Sequence, residues 1–225
     1  MNIFDILGPV MVGPSSSHTA GAVRIGYAAR KLLGEEPVKA ELLLHGSFAA
    51  TGRGHGTDRA LCAGLLGMAP DDMRIPHSFE LAEEKGISVT IGTVELRDAH
   101  PNTALLRLEG GSGRRLELIA ASLGGGRISI RGIDGIATDF SGDLPTLVIA
   151  NRDEPGCVAR VTTTLSQRSV NIATMQLYRS SRGHMAVMVI ETDQPVPEIC
   201  VDWLRELNGV MRVTYIDSMD NGGRR

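Results

Sequence analysis

Cysteine is scarce: Cys62, Cys157 and Cys200 are all that 225 residues contain. Three is an odd number, the positions lie far apart, and none forms a CxxC pair. The pattern excludes a disulfide framework and reads as buried or half-buried thiols. Lysine is equally rare. Lys31, Lys39 and Lys85 stand outside any glycine- or serine-rich setting, which argues against a Schiff-base lysine and a pyridoxal cofactor. Aromatic residues make up 4% and the formal net charge is -3. A basic, base-stacking surface for nucleic acid is therefore excluded. No apolar run approaches the roughly 20 residues that span a bilayer. The opening stretch MNIFDILGPVMVGP has no positive segment and carries Asp5 among apolar residues. It reads as structure, not as a leader, and a cytoplasmic protein without membrane contact is expected. No GxGxxG joins a strand to a helix, which sets aside a hydroxy-acid dehydrogenase, and no GxSxG elbow is present.

What remains is an ordinary globular composition, 42% hydrophobic and 22% charged. The chain divides near residue 144, where GIDGIATDFSGDLP clusters turn residues before a new strand signal. An α+β domain is expected over 1–144, a second domain over 145–219, and a disordered tail over 220–225. In the first domain, Ala22, Ile25, Ala29 and Leu32 have helical spacing, with Ser17 as N-cap and Gly34 closing the helix. KAELLLHGSF reads as a strand ending in a loop. TDRALCAGLLG is a short helix capped by Thr57 or Asp58, and 77–85 suggests another. Strand-like runs follow, and their alternation and glycine-rich joints predict antiparallel pairing. The GGG at 124–126 precedes a strand, whereas a phosphate loop needs a helix after it.

The second domain shows the order β-α-β-β-α-β, the ferredoxin-like arrangement. Its first helix places Val158, Val161 and Leu165 on one face. Its second aligns Ile199, Trp203 and Leu207, with Pro195 or Pro197 in the first turn. The second strand places Val170, Ile172, Thr174 and Gln176 on one side.

Three polar stretches in the first domain carry candidate chemistry. GPSSSHTAG (13–21) sets Ser15, Ser16, Ser17, His18 and Thr19 ahead of a helix. Small hydroxylated residues there present O–H and N–H donors to an anion such as a carboxylate; without a ligand the run is simply a capped, serine-rich loop. GRGHGTD (52–58) places His55 between two glycines, which allow close approach to a ligand. A neutral imidazole is the natural group to remove an α-proton, with Asp58 orienting a ring nitrogen or only capping the next helix. In HPN (100–102) Pro101 stiffens a segment whose His100 and Asn102 can point at one target, unless it is an ordinary turn. His45, His77 and His184 lack such a setting, and the six histidines form no HxxxH pair.

Two resemblances follow from these residues. RDEPGCVARV and VNIATMQ make the region from 146 to 217 similar to an ACT domain, a module that binds amino acids or pairs subunits. On that resemblance Asp153, Pro155, Gly156, Val158 and Asn171 are its effector-site residues, and two roles stand open: an amino-acid effector such as L-serine, or homodimerisation through the sheet. FDILGPVMVGPSSSHTAGA, HGSFAATGRGHGTDRAL and HPNTALLRL, in that order, resemble the β chain of the iron–sulfur-dependent L-serine dehydratases. The likeness runs from residue 2 to about 217. It implies an α+β domain shared with some phosphoglycerate dehydrogenases, followed by the ACT domain. It also implies a separate α chain with a [4Fe–4S] cluster, in a lyase that turns L-serine into pyruvate and ammonia and serves amino-acid metabolism and gluconeogenesis. Single-chain members often read SSSHTVGPM where this chain has SSSHTAGAV. By that likeness His55 is the general base, with Asp58 beside it, and Ser15, Ser16, Ser17, His18, Thr19, His100 and Asn102 line the serine pocket. A cluster with an open iron needs three well-placed thiolates, which Cys62, Cys157 and Cys200 do not offer, so the metal is expected on the partner. The alternative is a non-catalytic amino-acid-binding regulatory subunit.

Overall fold

The computed structural model describes residues 10–217; the opening segment to residue 9 and the predicted tail at 220–225 lie outside the described residues. Two compact units divide between Asp134 and Gly135.

The first unit begins with a wide helical turn, Ser16–Gly21, that runs into α1 (Ala22–Leu33). Ala22, Ile25, Ala29 and Leu32 are all buried, and Gly34 closes the helix at φ +81. The N-cap is Ser15 rather than the expected Ser17, because the wide turn starts the helical path earlier. β1 (Pro37–Leu44), α2 (Gly46–His55), α3 (Thr57–Leu65), α4 (Ser78–Glu84) and β2 (Ser88–Thr93) follow. β3 (Thr103–Gly110), β4 (Arg115–Gly124) and β5 (Arg127–Ile133) then form a meander. The strands lie in the order β2-β1-β3-β4-β5.

Two expectations fail here for identifiable reasons. β2 pairs with β1 in parallel, Leu42 opposite Ile91, whereas the run that holds β2 was expected to pair antiparallel with the runs that follow it. Three helices separate the two strands, and such a crossover returns the chain to the end at which β1 began. Residues 46–55 form a helix, not a loop. Glycines 46, 52 and 54 weaken its intrinsic propensity, but tertiary contacts override that. Pro101 O accepts the N–H groups of Ser47 (2.8 Å) and Phe48 (3.4 Å), and Phe48 is fully buried. Gly56, at φ +70, ends α2 and leads directly into α3. Neither Thr57 nor Asp58 caps α3, because that position belongs to Gly56.

Helices α1 and α3 meet backbone to backbone. A Cβ on Gly26 would lie 2.1 Å from Leu61 O, and one on Gly64 would lie 2.0 Å from Val23 O. Any side chain at either position would force the helices apart. This crossing fixes the turn before α1 relative to the α2–α3 joint.

The second unit opens with β6 (Ile136–Phe140). β7 (Thr146–Arg152), α5 (Cys157–Ser166), β8 (Ile172–Arg179), β9 (Met185–Thr192), α6 (Glu198–Arg205) and β10 (Val210–Ile216) complete the βαββαβ fold. Its antiparallel sheet runs β10-β7-β9-β8. The core gathers Leu147, Ile149, Val161, Leu165, Met188 and Leu204. The helical faces meet expectation only in part: Val161 and Leu165 on α5 are buried as expected, but other positions are not. Val158 is 37% exposed, and on α6 Cys200, Val201 and Leu204 are buried while Ile199 (47%) and Trp203 (38%) face out. Trp203 instead lies under the Arg168 guanidinium, 4.1 Å from its ring centre. Val170 precedes β8, and a register shift between Ile172 and Thr174 breaks the expected one-sided alternation.

Candidate active site

His18 sits at the buried side of the turn that enters α1 and is 8% exposed. Its Nδ1 is 3.2 Å from Ser15 Oγ, which also accepts the backbone N–H of His18 at 3.3 Å. Its Nε2 is 3.0 Å from Thr51 Oγ1 and 3.4 Å from Ser47 Oγ. Phe48 meets the ring edge-on at 5.2 Å. Burial first, and then the neighbouring His55, hold its pKa below the usual histidine value, against a raising bond at Ser47.

Ser47, Thr51 and His55 are spaced by four residues along α2 and so share one face of the helix. The His55 ring lies 4.9 Å from the His18 ring, centre to centre. His55 Nδ1 is 3.2 Å from Thr51 O. A carbonyl only accepts, so Nδ1 carries the proton and Nε2 of the neutral ring presents a lone pair. Among the described residues nothing hydrogen-bonds that Nε2. Asp58 was expected either to orient a nitrogen of this ring or only to cap the next helix; its Oδ1 accepts the N–H of Arg59 at 2.9 Å, and the partner of His55 Nδ1 is Thr51 O.

Other parts of the chain hold this arrangement. Gly124, Gly125 and Gly126, all at positive φ, turn the β4–β5 hairpin, a backbone path only glycine follows three times without strain. Gly125 N–H donates to Ser16 Oγ at 3.3 Å, and Arg24 donates to Gly126 O at 3.0 Å. A Cβ on Gly124 would stand 3.6 Å from Ser17 Oγ. Thr19 is buried, and its hydroxyl has no partner among the described residues. In the HPN turn, Pro101 is the member that reaches the site, through its carbonyl at the start of α2. His100 is exposed and accepts the Asn102 N–H at 3.1 Å, while Asn102 O accepts from Ser122 N–H at 2.9 Å. These two residues shape the turn; among the described residues no hydrogen bond joins them to either imidazole.

Sequence reasoning missed Ser47, Thr51 and the glycine hairpin. The spacing of Ser47, Thr51 and His55 was a usable signal, but only once residues 46–55 are known to be helical.

In the second unit, Asp153 accepts the Gly183 N–H at 3.1 Å and pairs with Arg179 at 3.3 Å. The Gly183 bond first, then Arg179 and Arg182, hold its carboxyl below the usual carboxylate range. Asn171 donates to Asp193. Pro155, Gly156 and Val158 are exposed around the turn into α5, with Gly156 at φ +87.

The chain's thiols do not suit an iron–sulfur cluster. Cys62 belongs to the first unit and Cys157 and Cys200 to the second, and all three are buried and free. Burial pushes Cys62 up to about 11 and raises the other two, the wrong direction for a thiolate ligand. Among the described residues no group of three His, Cys, Asp or Glu side chains could hold a metal ion. Among them, too, no helix is long and apolar enough to cross a membrane.

Comparison with known proteins agrees with this division. The serine dehydratase beta chain family matches residues 2–131, and the ACT domain matches 146–199. The probable L-serine dehydratase beta chain of Bacillus subtilis is 41% identical over 96% of this chain and 97% of its own. The L-serine dehydratase beta chain of Peptoniphilus asaccharolyticus is 39% identical, covering 87% of this chain and 88% of its own. An L-serine dehydratase of Streptomyces coelicolor is 32% identical over 47% of this chain but only 25% of its own length.

Proposed function

The chain belongs to the serine dehydratase beta-chain family and carries an ACT domain, and on that premise we propose that it is the beta subunit of an L-serine ammonia-lyase. With a cluster-bearing alpha chain it converts L-serine to pyruvate and ammonia. The observation that carries this reading is the His55 Nε2 lone pair, left open among the described residues beside a hydroxyl-lined helix start.

The chemistry assigned to this chain is gripping and deprotonation. The turn at Ser15–Thr19 opens α1, where N–H groups and the helix dipole favour an anion. Ser16 Oγ accepts from Gly125, which leaves its own proton free to donate to the substrate carboxylate. His55 Nε2 removes the α-proton; the imidazolium keeps its Nδ1–H on Thr51 O. Neighbouring His18, buried and disfavoured as a cation, stays neutral and does not repel that charge. The aminoacrylate released by loss of water hydrolyses to pyruvate and ammonia without further help. The [4Fe–4S] cluster is assigned to the alpha chain, because the thiols here do not suit it, and no residue of this chain is assigned to the departure of the hydroxyl group.

The ACT domain, on this proposal, pairs two beta chains through its sheet. Asp153 and Asn171 already bond within the chain, which favours pairing over a serine effector at that turn.

The test is to combine this chain with the alpha chain anaerobically and follow pyruvate from L-serine. Turnover that needs both chains supports the proposal. Pyruvate from the metal-free single chain, or serine binding without turnover when the alpha chain is present, overturns it; the latter result points to a regulatory subunit.

A further inference from the structure

Thr51 touches both histidine rings, and with different atoms. Its carbonyl takes His55 Nδ1–H at 3.2 Å; its hydroxyl lies 3.0 Å from His18 Nε2. That hydroxyl also lies 2.9 Å from Ser47 O, which can only accept. A threonine hydroxyl has one proton, and here it goes to the carbonyl. Toward His18, Thr51 Oγ1 therefore offers a lone pair, and His18 Nε2 must carry the hydrogen. The other end of the His18 ring fits. Nδ1 is then bare and accepts from Ser15 Oγ–H at 3.2 Å, while Ser15 Oγ takes the His18 backbone N–H. Thr51 and Ser15 each give one proton, Ser47 Oγ can give its own to Thr51 Oγ1 at 3.5 Å, and no donor faces a donor.

We propose that Thr51 is a positioning residue that sets opposite tautomers in the two rings, Nε2–H in His18 and Nδ1–H in His55. The assignment deepens the dehydratase reading and rests on it for its catalytic meaning. Both nitrogens of His18 are engaged. His55 has one nitrogen engaged and, among the described residues, one open. Only His55 can take up a proton without breaking a bond in the network, so two imidazoles 4.9 Å apart divide into a fixed support and a working base.

The experiment uses the full chain with 15N-labelled histidine, read by long-range proton–nitrogen correlation at a pH where both rings are neutral. His18→Gln and His55→Gln spectra assign the signals. The expected result is an Nε2–H pattern for His18 and an Nδ1–H pattern for His55. Thr51→Val keeps the side-chain shape and the carbonyl but removes the hydroxyl, leaving Ser47 Oγ at 3.4 Å beside His18 Nε2. It should change the His18 pattern and lower kcat/KM with the alpha chain about tenfold or more; Thr51→Ser should restore both. The same tautomer in the two wild-type rings, or a Thr51→Val spectrum identical to wild type, overturns the proposal. The wild-type spectrum decides even if the valine variant fails to fold. Absence of pyruvate from the wild-type pair would strike the dehydratase reading alone, because the spectrum is measured without turnover.

Discussion

The two units spend their polar side chains differently. In the second, Asp153 and Asn171 satisfy themselves on Gly183, Arg179 and Asp193, and the turn before α5 is closed by its own chain. In the first, Ser15, His18, Thr51 and Ser47 form a connected network that ends at His55 with an unused lone pair. A polar cluster whose members bond one another and the local backbone supports shape. One that leaves a single strong acceptor over, held in place by the rest, is equipped for proton transfer.

Four substitutions put this contrast to the test. The largest effect is expected from His55→Ala, which removes the open acceptor. Pyruvate formation with the alpha chain should fall by about 10²- to 10⁴-fold, the usual worth of a general base, while thermal unfolding barely moves. Unchanged turnover would put the base elsewhere. Next, Gly64→Ala pushes a methyl group against Val23 O and should cost roughly 1–3 kcal/mol in denaturant unfolding. Activity should fall with it, because the two histidine-bearing segments separate.

The third concerns acid. His18 has a lowered pKa when folded against 6.5 ordinarily, so the unfolded chain binds the proton more readily. The stability contributed by the neutral ring is complete above the unfolded value, begins to fall as the pH drops through it, and is gone below the folded value. His18→Gln should flatten that decline in unfolding curves collected from pH 8 to pH 5. A variant with the wild-type slope would show that the ring is not protected. The smallest change is expected from Asp153→Asn. The Asp153 pKa is depressed when folded, so its contribution is present above the ordinary aspartate value and lost as the pH falls through the folded one. The variant should lose only that acid-sensitive part, seen as a small drop in melting temperature at neutral pH, and leave turnover intact. A large loss of turnover would show that the ACT turn is not merely structural.

Much of the fold was legible in the sequence. The βαββαβ order of the second unit and the buried face of α1 followed from periodicity and turn residues. His18 and His55 stood out because each sits in a short run rich in serine or glycine. What escaped was non-local. Helix α2 is poor by composition and exists because Pro101, about fifty residues further on, receives its first N–H groups. Without that helix, Ser47 and Thr51 could not be aligned with His55. The glycine run was placed ahead of a strand, as it stands, yet nothing local said that Gly125 would reach Ser16, 109 positions away. On α5 Val161 and Leu165 were placed correctly and Val158 was not, and the face of α6 was set a residue wrong, because Ile199, Trp203 and Val158 are apolar and exposed, and hydrophobicity alone does not tell a core position from a surface one.

The bare crossing of α1 over α3 has an evolutionary consequence. Where carbonyl oxygens sit against hydrogens, drift has no small steps to take: the mildest replacement of Gly26 or Gly64 already adds a whole carbon to a full space. Two residues without any functional group thus hold the spacing between the imidazoles, and selection for activity should be felt at them as sharply as at the histidines themselves.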